Sequence, residues 1–212
     1  MTENIQLLTH SIIKITGGTT IYVDPFQVVE DTKDADIILI THDHFDHFSP
    51  EDIAKVIKSG TVLVVPKKME KKASEISCGE LIAVEPGERR QLGNVAIETV
   101  PAYNVMKPFH PKSQGWVGYI IETDGMRVYV AGDTDITKEN KEVSCDVAMV
   151  PIGGTYTMDA KKAAELVNII HPKVAIPTHY GSVAGSQEDE EVFRANVDPS
   201  ISVKIKMQRY GE

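Results

Sequence analysis

Five of the six residues from His42 to His47, in the stretch HDHFDH, carry side chains that can bind a metal ion or move a proton. Three are histidines and two are aspartates. Neutral imidazoles together with a carboxylate are a natural ligand set for zinc, manganese or iron. A bound divalent ion lowers the pKa of water to about 7 and so supplies hydroxide at neutral pH. The stretch therefore predicts a metal site suited to hydrolytic chemistry.

The spacing of these residues restricts the backbone that can carry them. On a helix, His42 and His44 would point about 200° apart and could not share an ion. In an extended segment, residues two apart point the same way. We therefore expect a strand-to-helix loop in which His42 and His44 hold one ion. The turn that follows brings Asp46 and His47 to a second ion.

The elements around this loop follow from hydrophobic patterning and turn residues. Short runs rich in Val, Ile and Tyr predict strands. The predicted strands are Ile5–Leu8, Ser11–Ile15, Thr20–Val23, Ile37–Ile40, Val62–Val65, Leu81–Val84, Val95–Val100, Val117–Glu122, Val128–Ala131, Val147–Val150, Val174–Ile176 and Ile201–Ile205. The stretches TGGTT and TDGMR between such runs are typical of hairpin turns.

Helices are predicted at three places. One begins after the N-cap Ser49, with Pro50 in its first turn, and ends at Gly60. A second begins after Thr157 and carries apolar residues at helical spacing up to Ile170. A third covers Glu188 to Ala195. This order of elements predicts an α/β protein of one domain, residues 1–212, in which two sheets pack face to face with helices outside.

Composition excludes several classes of function. The formal net charge of -9 and the pI near 5.3 argue against a nucleic-acid-binding surface. The basic run Lys67–Lys72 is more typical of a solvated helix face. Cys78 and Cys145 belong to no zinc-binding pattern and are expected to be free thiols. No signal peptide and no membrane-spanning apolar run is visible, so we expect a cytoplasmic protein without membrane contact.

The motifs, taken together, resemble those of the metallo-β-lactamase superfamily. HDHFDH matches the H-x-H-x-D-H motif of that superfamily, IYVDPF precedes it, and AGDTD and PTHYG follow it in order. The chain is most similar to the small metal-dependent hydrolases that include L-ascorbate-6-phosphate lactonase. The resemblance implies a four-layer αββα sandwich with the metal site at one end of the two sheets.

The same resemblance implies a dinuclear centre in which further residues complete the ligand set. Asp133 in AGDTD takes the place of the bridging carboxylate, and His179 in PTHYG completes the second ion. The third ligand of the first ion is less clearly marked, because this chain has Asn104 where that histidine is expected. His110 is the favoured ligand over Asn104 or a water molecule, and Asn104 is then a hydrogen-bonding group on the substrate side.

Two more residues are candidates for supporting roles. Asp24 in YVDPF is expected to accept a hydrogen bond from a metal-binding histidine and so to orient it. His10 in LTHSI occupies a position where relatives carry a histidine near the site, and a surface histidine is an equally good interpretation.

This ligand set predicts a hydrolase that uses two divalent ions, Zn²⁺ or Mn²⁺, with Fe also compatible. Two such ions, two carboxylates and a hydroxide leave a local charge of about +1, which favours a small anionic substrate. The expected substrate is an ester, lactone or phosphoester, and Asp46 is expected to orient the nucleophile and pass on its proton. The alternatives are an iron-dependent redox protein on the same scaffold and a non-catalytic metal-binding module. The free sheet edges are compatible with a homo-oligomer.

Overall fold

The structure, a computed structural model, describes residues 2–208 and divides into two compact units. The first unit contains the described residues up to Glu85 together with those from Met207 onward, and the second is Pro86–Lys206. Each unit is built around its own mixed sheet. Two mixed sheets with helices confirm the predicted α/β class, whereas the single domain over residues 1–212 stays a prediction.

The first unit has, within its described residues, a six-stranded sheet in the order β1-β2-β3-β4-β5-β6. These strands are Ile5–Thr9 (β1), Ile12–Ile15 (β2), Ile21–Val23 (β3), Ala35–Leu39 (β4), Ile57–Pro66 (β5) and Glu80–Val84 (β6). Pairing is antiparallel from β1 to β3 and parallel from β3 to β6. The helices of this unit are Pro50–Val56 (α1) and Glu70–Ala73 (α2).

Helix α1 begins as predicted and ends earlier than predicted. Ser49 is the N-cap, and its side-chain oxygen accepts a hydrogen bond from the backbone N–H of Asp52. Ile53 and Val56 pack into a buried cluster with strand residues of β4 and β5, which fixes the helix against the sheet. The prediction that the helix continues to Gly60 is wrong. Ile57 already has extended backbone and begins β5, because pairing with Ala35 there outweighs one more helical turn.

The second unit, Pro86–Lys206, has a seven-stranded sheet in the order β13-β12-β11-β10-β9-β8-β7. Its strands are Arg89–Leu92 (β7), Val95–Pro101 (β8), Val117–Thr123 (β9), Met126–Val130 (β10), Val147–Pro151 (β11), Val174–Thr178 (β12) and Ser202–Val203 (β13). Pairing is antiparallel from β7 to β10 and parallel from β10 to β13. Its helices are Ala160–Ile170 (α3) and Asp189–Asn196 (α4).

The N-cap of α3 differs from the prediction. Asp159, two residues after the predicted Thr157, is the cap, and its carboxylate accepts a hydrogen bond of 2.8 Å from the backbone N–H of Lys162. Thr157 is fully buried before the helix begins. At the other end, His171 adopts a left-handed conformation and terminates α3. Leu166 and other buried residues of α3 form its core face.

Cys78 and Cys145 are free thiols, as expected. The run Lys67–Lys72 lies in a short 3-10 helix followed by α2, and its four lysines are exposed. Within residues 2–208, no helix combines the length and apolar character that a membrane span requires.

Candidate metal centre

The predicted site residues of the first unit lie at one edge of its sheet. Strands β1, β3 and β4 run in the same direction, because β2 is antiparallel to both β1 and β3 while β4 is parallel to β3. His10 follows β1, Asp24 follows β3, and His42–His47 follow β4. The carboxyl ends of strands that share a direction meet at the same edge, so this topology brings the three segments together.

Two histidine nitrogens of the loop after β4 point at the same place. His42 Nε2 and His44 Nδ1 lie 3.1 Å apart, and the two rings meet edge to face. Two nitrogens bound tetrahedrally to one zinc ion at about 2.0–2.1 Å are separated by roughly 3.4 Å. The spacing of these two nitrogens therefore fits a shared ion, as the extended-backbone argument predicted.

The next turn of the loop brings a carboxylate towards two other imidazoles. Asp46 Oδ2 lies 3.7 Å from His47 Nε2 and 3.2 Å from His10 Nε2. All three side chains are buried. His10 is thus an interior histidine in contact with Asp46, and the surface interpretation of His10 is wrong. A buried carboxylate beside two imidazoles is a donor set that suits a divalent ion.

Asp24 organises the histidines of this loop through hydrogen bonds. Its Oδ2 accepts from His47 Nδ1 at 2.7 Å and from the Thr41 hydroxyl at 2.6 Å, and its Oδ1 accepts from the Thr41 backbone N–H at 2.8 Å. The Thr41 hydroxyl oxygen lies 2.9 Å from His42 Nδ1. With both Nδ1 atoms facing oxygen, His42 and His47 carry their lone pairs on Nε2, the tautomer that can bind a metal.

Thr41 was not predicted from the sequence as a site residue. It is fully buried, and its hydroxyl connects Asp24 to His42. The available signal was its position, since Thr41 directly precedes the first histidine of the motif at the end of a strand.

The backbone conformation of Asp24 and the pKa of its carboxyl group both differ from their usual values. Asp24 has φ of 47° and His10 has φ of 46°, a left-handed region that residues other than glycine rarely adopt. Burial raises the pKa of the Asp24 carboxyl, while His47 and the Thr41 donors oppose that shift. Unfavourable backbone conformations of this kind are retained where the surrounding structure enforces them, and they concentrate at functional sites.

The remaining predicted residues lie at one edge of the sheet in the second unit. Strands β8, β10 and β12 share a direction, because β9 is antiparallel to both β8 and β10 while β11 is parallel to β10 and β12. Asn104 and His110 follow β8, Asp133 follows β10, and His179 follows β12. The same topological argument therefore explains why these four residues converge.

Asp133 lies between two histidines of this group. Its Oδ2 is 3.2 Å from His110 Nε2 and 3.1 Å from His179 Nε2. The three side chains are at most 4% exposed. Both imidazole nitrogens thus approach the same buried carboxylate oxygen. Two histidine ligands and a carboxylate shared by two metal ions would have this arrangement.

Asn104 is a direct partner of His110. Its Oδ1 accepts hydrogen bonds from the backbone N–H of His110 at 3.1 Å and from His110 Nδ1 at 3.1 Å. Its Nδ2 donates to the carbonyl oxygen of Tyr156 at 3.0 Å. The edge of Trp116 packs against the His110 ring at 5.5 Å between centroids. These contacts leave His110 Nε2 directed at Asp133.

His179 depends on a glycine that the sequence analysis did not single out. His179 has φ of 56°, and a Cβ added at Gly153 would lie 2.3 Å from its backbone oxygen. Gly153 therefore permits the segment after β11 to pass close to the end of β12. The available signal was the Gly-Gly pair shortly after the predicted strand Val147–Val150.

The predicted site residues thus form two groups, each at one sheet edge. The first group contains His10, Asp24, His42, His44, Asp46 and His47, and the second contains Asn104, His110, Asp133 and His179.

Comparison with known proteins connects both groups to one family. The family model for the Beta-lactamase superfamily domain matches residues 4–179, a range that includes every residue of the two groups. A protein named UPF0173 metal-dependent hydrolase from Pyrococcus abyssi is 32% identical, and the match covers 95% of each chain.

Solved structures give the same result for the fold. The crystal structure of a protein described as a metal-dependent hydrolase, from Parabacteroides distasonis, has a TM-score of 0.80 at 32% identity and covers 96% of this chain and 93% of that one. Igni18, a metallo hydrolase of Ignicoccus hospitalis, has a TM-score of 0.77 at 23% identity over 96% and 94% of the two chains. The metallo-β-lactamase-like fold predicted from the motifs is confirmed. The chain therefore belongs to the β-lactamase superfamily, in a branch that includes proteins named metal-dependent hydrolases.

Proposed function

We propose that this chain is a hydrolase whose two groups of site residues supply the ligands of two divalent metal ions. The observation that carries the proposal is the convergence of buried and half-buried donor atoms within each group. His42 Nε2 and His44 Nδ1 are 3.1 Å apart, and His110 and His179 both approach Asp133 Oδ2. A four-coordinate site needs more donors than two histidines supply, and the resemblance to the metallo-β-lactamase superfamily implies which residues provide them.

The resemblance of the motifs to those of the superfamily implies a division of these ligands between two ions. The first ion is assigned to His42, His44 and His110, and the second to Asp46, His47 and His179. Asp133 is assigned to both ions. This set of imidazoles and carboxylates suits zinc or manganese and is compatible with iron.

Hydrogen bonds hold the side chains of four of these assigned ligands in position. Asp24 and Thr41 hold the Nδ1 sides of His47 and His42, and Asn104 holds that of His110. A histidine whose other nitrogen donates to an oxygen has a fixed tautomer and ring orientation. His10, at 3.2 Å from Asp46 Oδ2, restricts the rotation of that carboxylate.

When bound, the two ions supply hydroxide at neutral pH and polarise the oxygen of the bond to be hydrolysed. Asp46 is the general base of the proposal, because its carboxylate can orient the attacking water and accept its proton. The proton then passes to the leaving group. The proposed substrates are small esters, lactones or phosphoesters, with an anionic group favoured by the local positive charge.

The test removes and restores the metal. Protein treated with EDTA should lose turnover of a panel containing γ-butyrolactone, 4-nitrophenyl acetate and bis(4-nitrophenyl) phosphate. Added Zn²⁺ or Mn²⁺ should restore activity on at least one class, with about two ions bound per chain by elemental analysis. The Asp133→Ala variant should show no activity after the same addition of metal, although its circular dichroism spectrum shows that it is folded. Full activity after verified metal removal would contradict the proposal.

A further inference from the structure

Two aromatic rings are exposed beside the metal-ligand candidates of the second unit. Phe109 is 40% exposed and Tyr156 is 38% exposed. Their rings meet edge to face, with centroids 4.8 Å apart and an angle of 78° between the planes. Large apolar side chains that remain together at the surface commonly mark a binding site.

These rings are connected directly to His110. Phe109 precedes His110 in the chain, and the side chain of Asn104 joins the His110 ring to the carbonyl oxygen of Tyr156. The backbone of both aromatic residues is therefore held in register with a candidate ligand. A group that binds to the two rings is placed next to the proposed centre.

Hydrogen bonds from Lys107 also connect the two loops that carry the rings. The Lys107 amine donates to Asp135 Oδ1 at 2.7 Å, to the carbonyl oxygen of Gly154 at 3.4 Å and to that of Thr157. With these acceptors, the Lys107 amine has little capacity left for an anionic ligand. The exposed surface of these loops therefore offers apolar contact more than charge.

Exposed hydrophobic residues are concentrated on these loops. In the described part of the chain, eight large hydrophobic side chains are exposed, and four of them are Val105, Met106, Phe109 and Tyr156. Met106 is 91% exposed. Methionine adapts its shape to a ligand because its side chain is unbranched and flexible.

The first unit repeats this arrangement beside its own ligand candidates. Phe45 stands between His44 and Asp46 and is 67% exposed. Its ring meets Phe26 edge to face with centroids 5.8 Å apart. An exposed aromatic ring in contact with a second ring thus lies beside each group of candidate ligands.

We propose that Phe109 and Tyr156 contact the non-reacting part of the substrate and select compounds with an alkyl chain or aryl ring next to the bond that is hydrolysed. This inference rests on the proposed function. The rings act as specificity determinants, and among the proposed esters and lactones they favour those with an apolar group next to the reacting bond. The aromatic surface shields the alkyl group from water, which favours binding in proportion to the apolar area covered.

The first test compares acyl chain lengths with metal-loaded protein. Each buried methylene is worth roughly fourfold in binding. Because the rings cover a chain on one side only, 4-nitrophenyl hexanoate should exceed 4-nitrophenyl acetate in kcat/KM by about tenfold. Phe109→Ala and Tyr156→Ala should each reduce this preference to about threefold or less. Phe109→Leu should retain most of the preference. Ile169→Ala, which removes an exposed apolar side chain from α3, is the matched control and should change neither rate.

The second test does not depend on turnover. Calorimetric titration of metal-loaded protein with 4-phenylbutyrate should give at least tenfold tighter binding than titration with acetate, and the Phe109→Ala and Tyr156→Ala variants should lose that difference. If no ester is hydrolysed but the binding difference persists, the proposed function fails and the aromatic contact stands. Equal loss of the acetate and hexanoate rates would assign Phe109 and Tyr156 a structural role and overturn the inference. Association of the chain into dimers that Phe109→Ala abolishes, with no acyl preference, would identify a protein interface instead.

Discussion

Asn104 Oδ1 accepts two hydrogen bonds from His110, one from the backbone N–H and one from ring Nδ1, both at 3.1 Å. A single amide oxygen thereby fixes the position of the loop and the tautomer of the imidazole. Histidine ligands commonly have such a partner, and its loss typically reduces metal affinity by about 10–100-fold.

Substitution of these two residues should therefore have different effects on the metal. His110→Ala removes a ligand, and we expect bound metal to fall from about two ions to about one per chain. Asn104→Ala retains the ligand, and we expect two ions to bind with one of them weakened by about 10–100-fold. Elemental analysis after dialysis and competition with a metal-binding dye measure the two outcomes. Asn94→Ala, in an exposed turn, is the control. Retention of two tightly bound ions by His110→Ala would exclude His110 as a ligand.

Asp24→Asn should weaken the binding of the metal ion that is assigned to His47. The amide keeps the size of the side chain but removes the negative charge of the carboxylate. His47 Nδ1 and the Thr41 hydroxyl donate hydrogen bonds to that carboxylate. We expect affinity for one ion to fall by about 10–100-fold. Asp124→Asn is a closely matched control, because Asp24 and Asp124 have φ of 47° and 49°, and asparagine tolerates this conformation equally at both. Equal effects of the two substitutions would attribute the loss to backbone conformation.

Gly153→Ala should displace the segment that carries His179. The new methyl carbon would lie 2.3 Å from the His179 backbone oxygen, so the backbone must move. Such overpacking costs about 1–3 kcal/mol in the free energy of unfolding, and metal affinity should fall with it. Gly60→Ala, where a Cβ meets nothing within 4 Å, is the control. Chemical denaturation and metal titration of both variants measure the difference, and equal behaviour would show that Gly153 is not under this constraint.

Glu139 should make stability depend on pH in the acidic range. Partial burial raises the pKa of Glu139, but hydrogen bonds from Lys112 and Tyr103 outweigh it and lower the pKa from 4.5 to about 2. Because the folded-state pKa lies below the unfolded value, these contacts stabilise the protein above about pH 4.5. The stabilisation is lost as the pH falls towards 2.

The free energy of unfolding of Glu139→Gln should therefore depend less on pH in the acidic range. Between pH 5 and pH 3, we expect the free energy of unfolding to fall by about 1 kcal/mol more in the unsubstituted protein than in the variant. Glu142→Gln, three residues further along, is the control. Parallel curves for Glu139→Gln and the unsubstituted protein would contradict the assignment.

Most strands could be predicted because they are buried. Each of the twelve predicted strands has a counterpart, since runs of Val and Ile mark segments that a sheet covers on one or both faces. Strand β7, Arg89–Leu92, was missed. Its sequence RRQL is polar and mostly exposed, and it is held by backbone pairing with β8, which leaves no hydrophobic signature.

Helix ends and the supporting residues of the site were harder to predict. Thr157 and Asp159 are both good N-caps by residue type, and only the observed hydrogen bond to Lys162 distinguishes them. The HDHFDH motif was visible because its ligands are adjacent in sequence. Thr41 and Gly153 support their histidines through one hydroxyl and one close backbone approach, and both depend on contacts that spacing does not reveal.

Phe45 shares its loop with four candidate ligands, yet its side chain is largely exposed. An exchange at this position alters the surface of the loop, while the donor backbone and the helix that begins after Ser49 keep their anchors. Single codon changes at position 45 are therefore expected to alter the surface beside the candidate ligands and to leave the hydrogen bonds that hold those ligands intact.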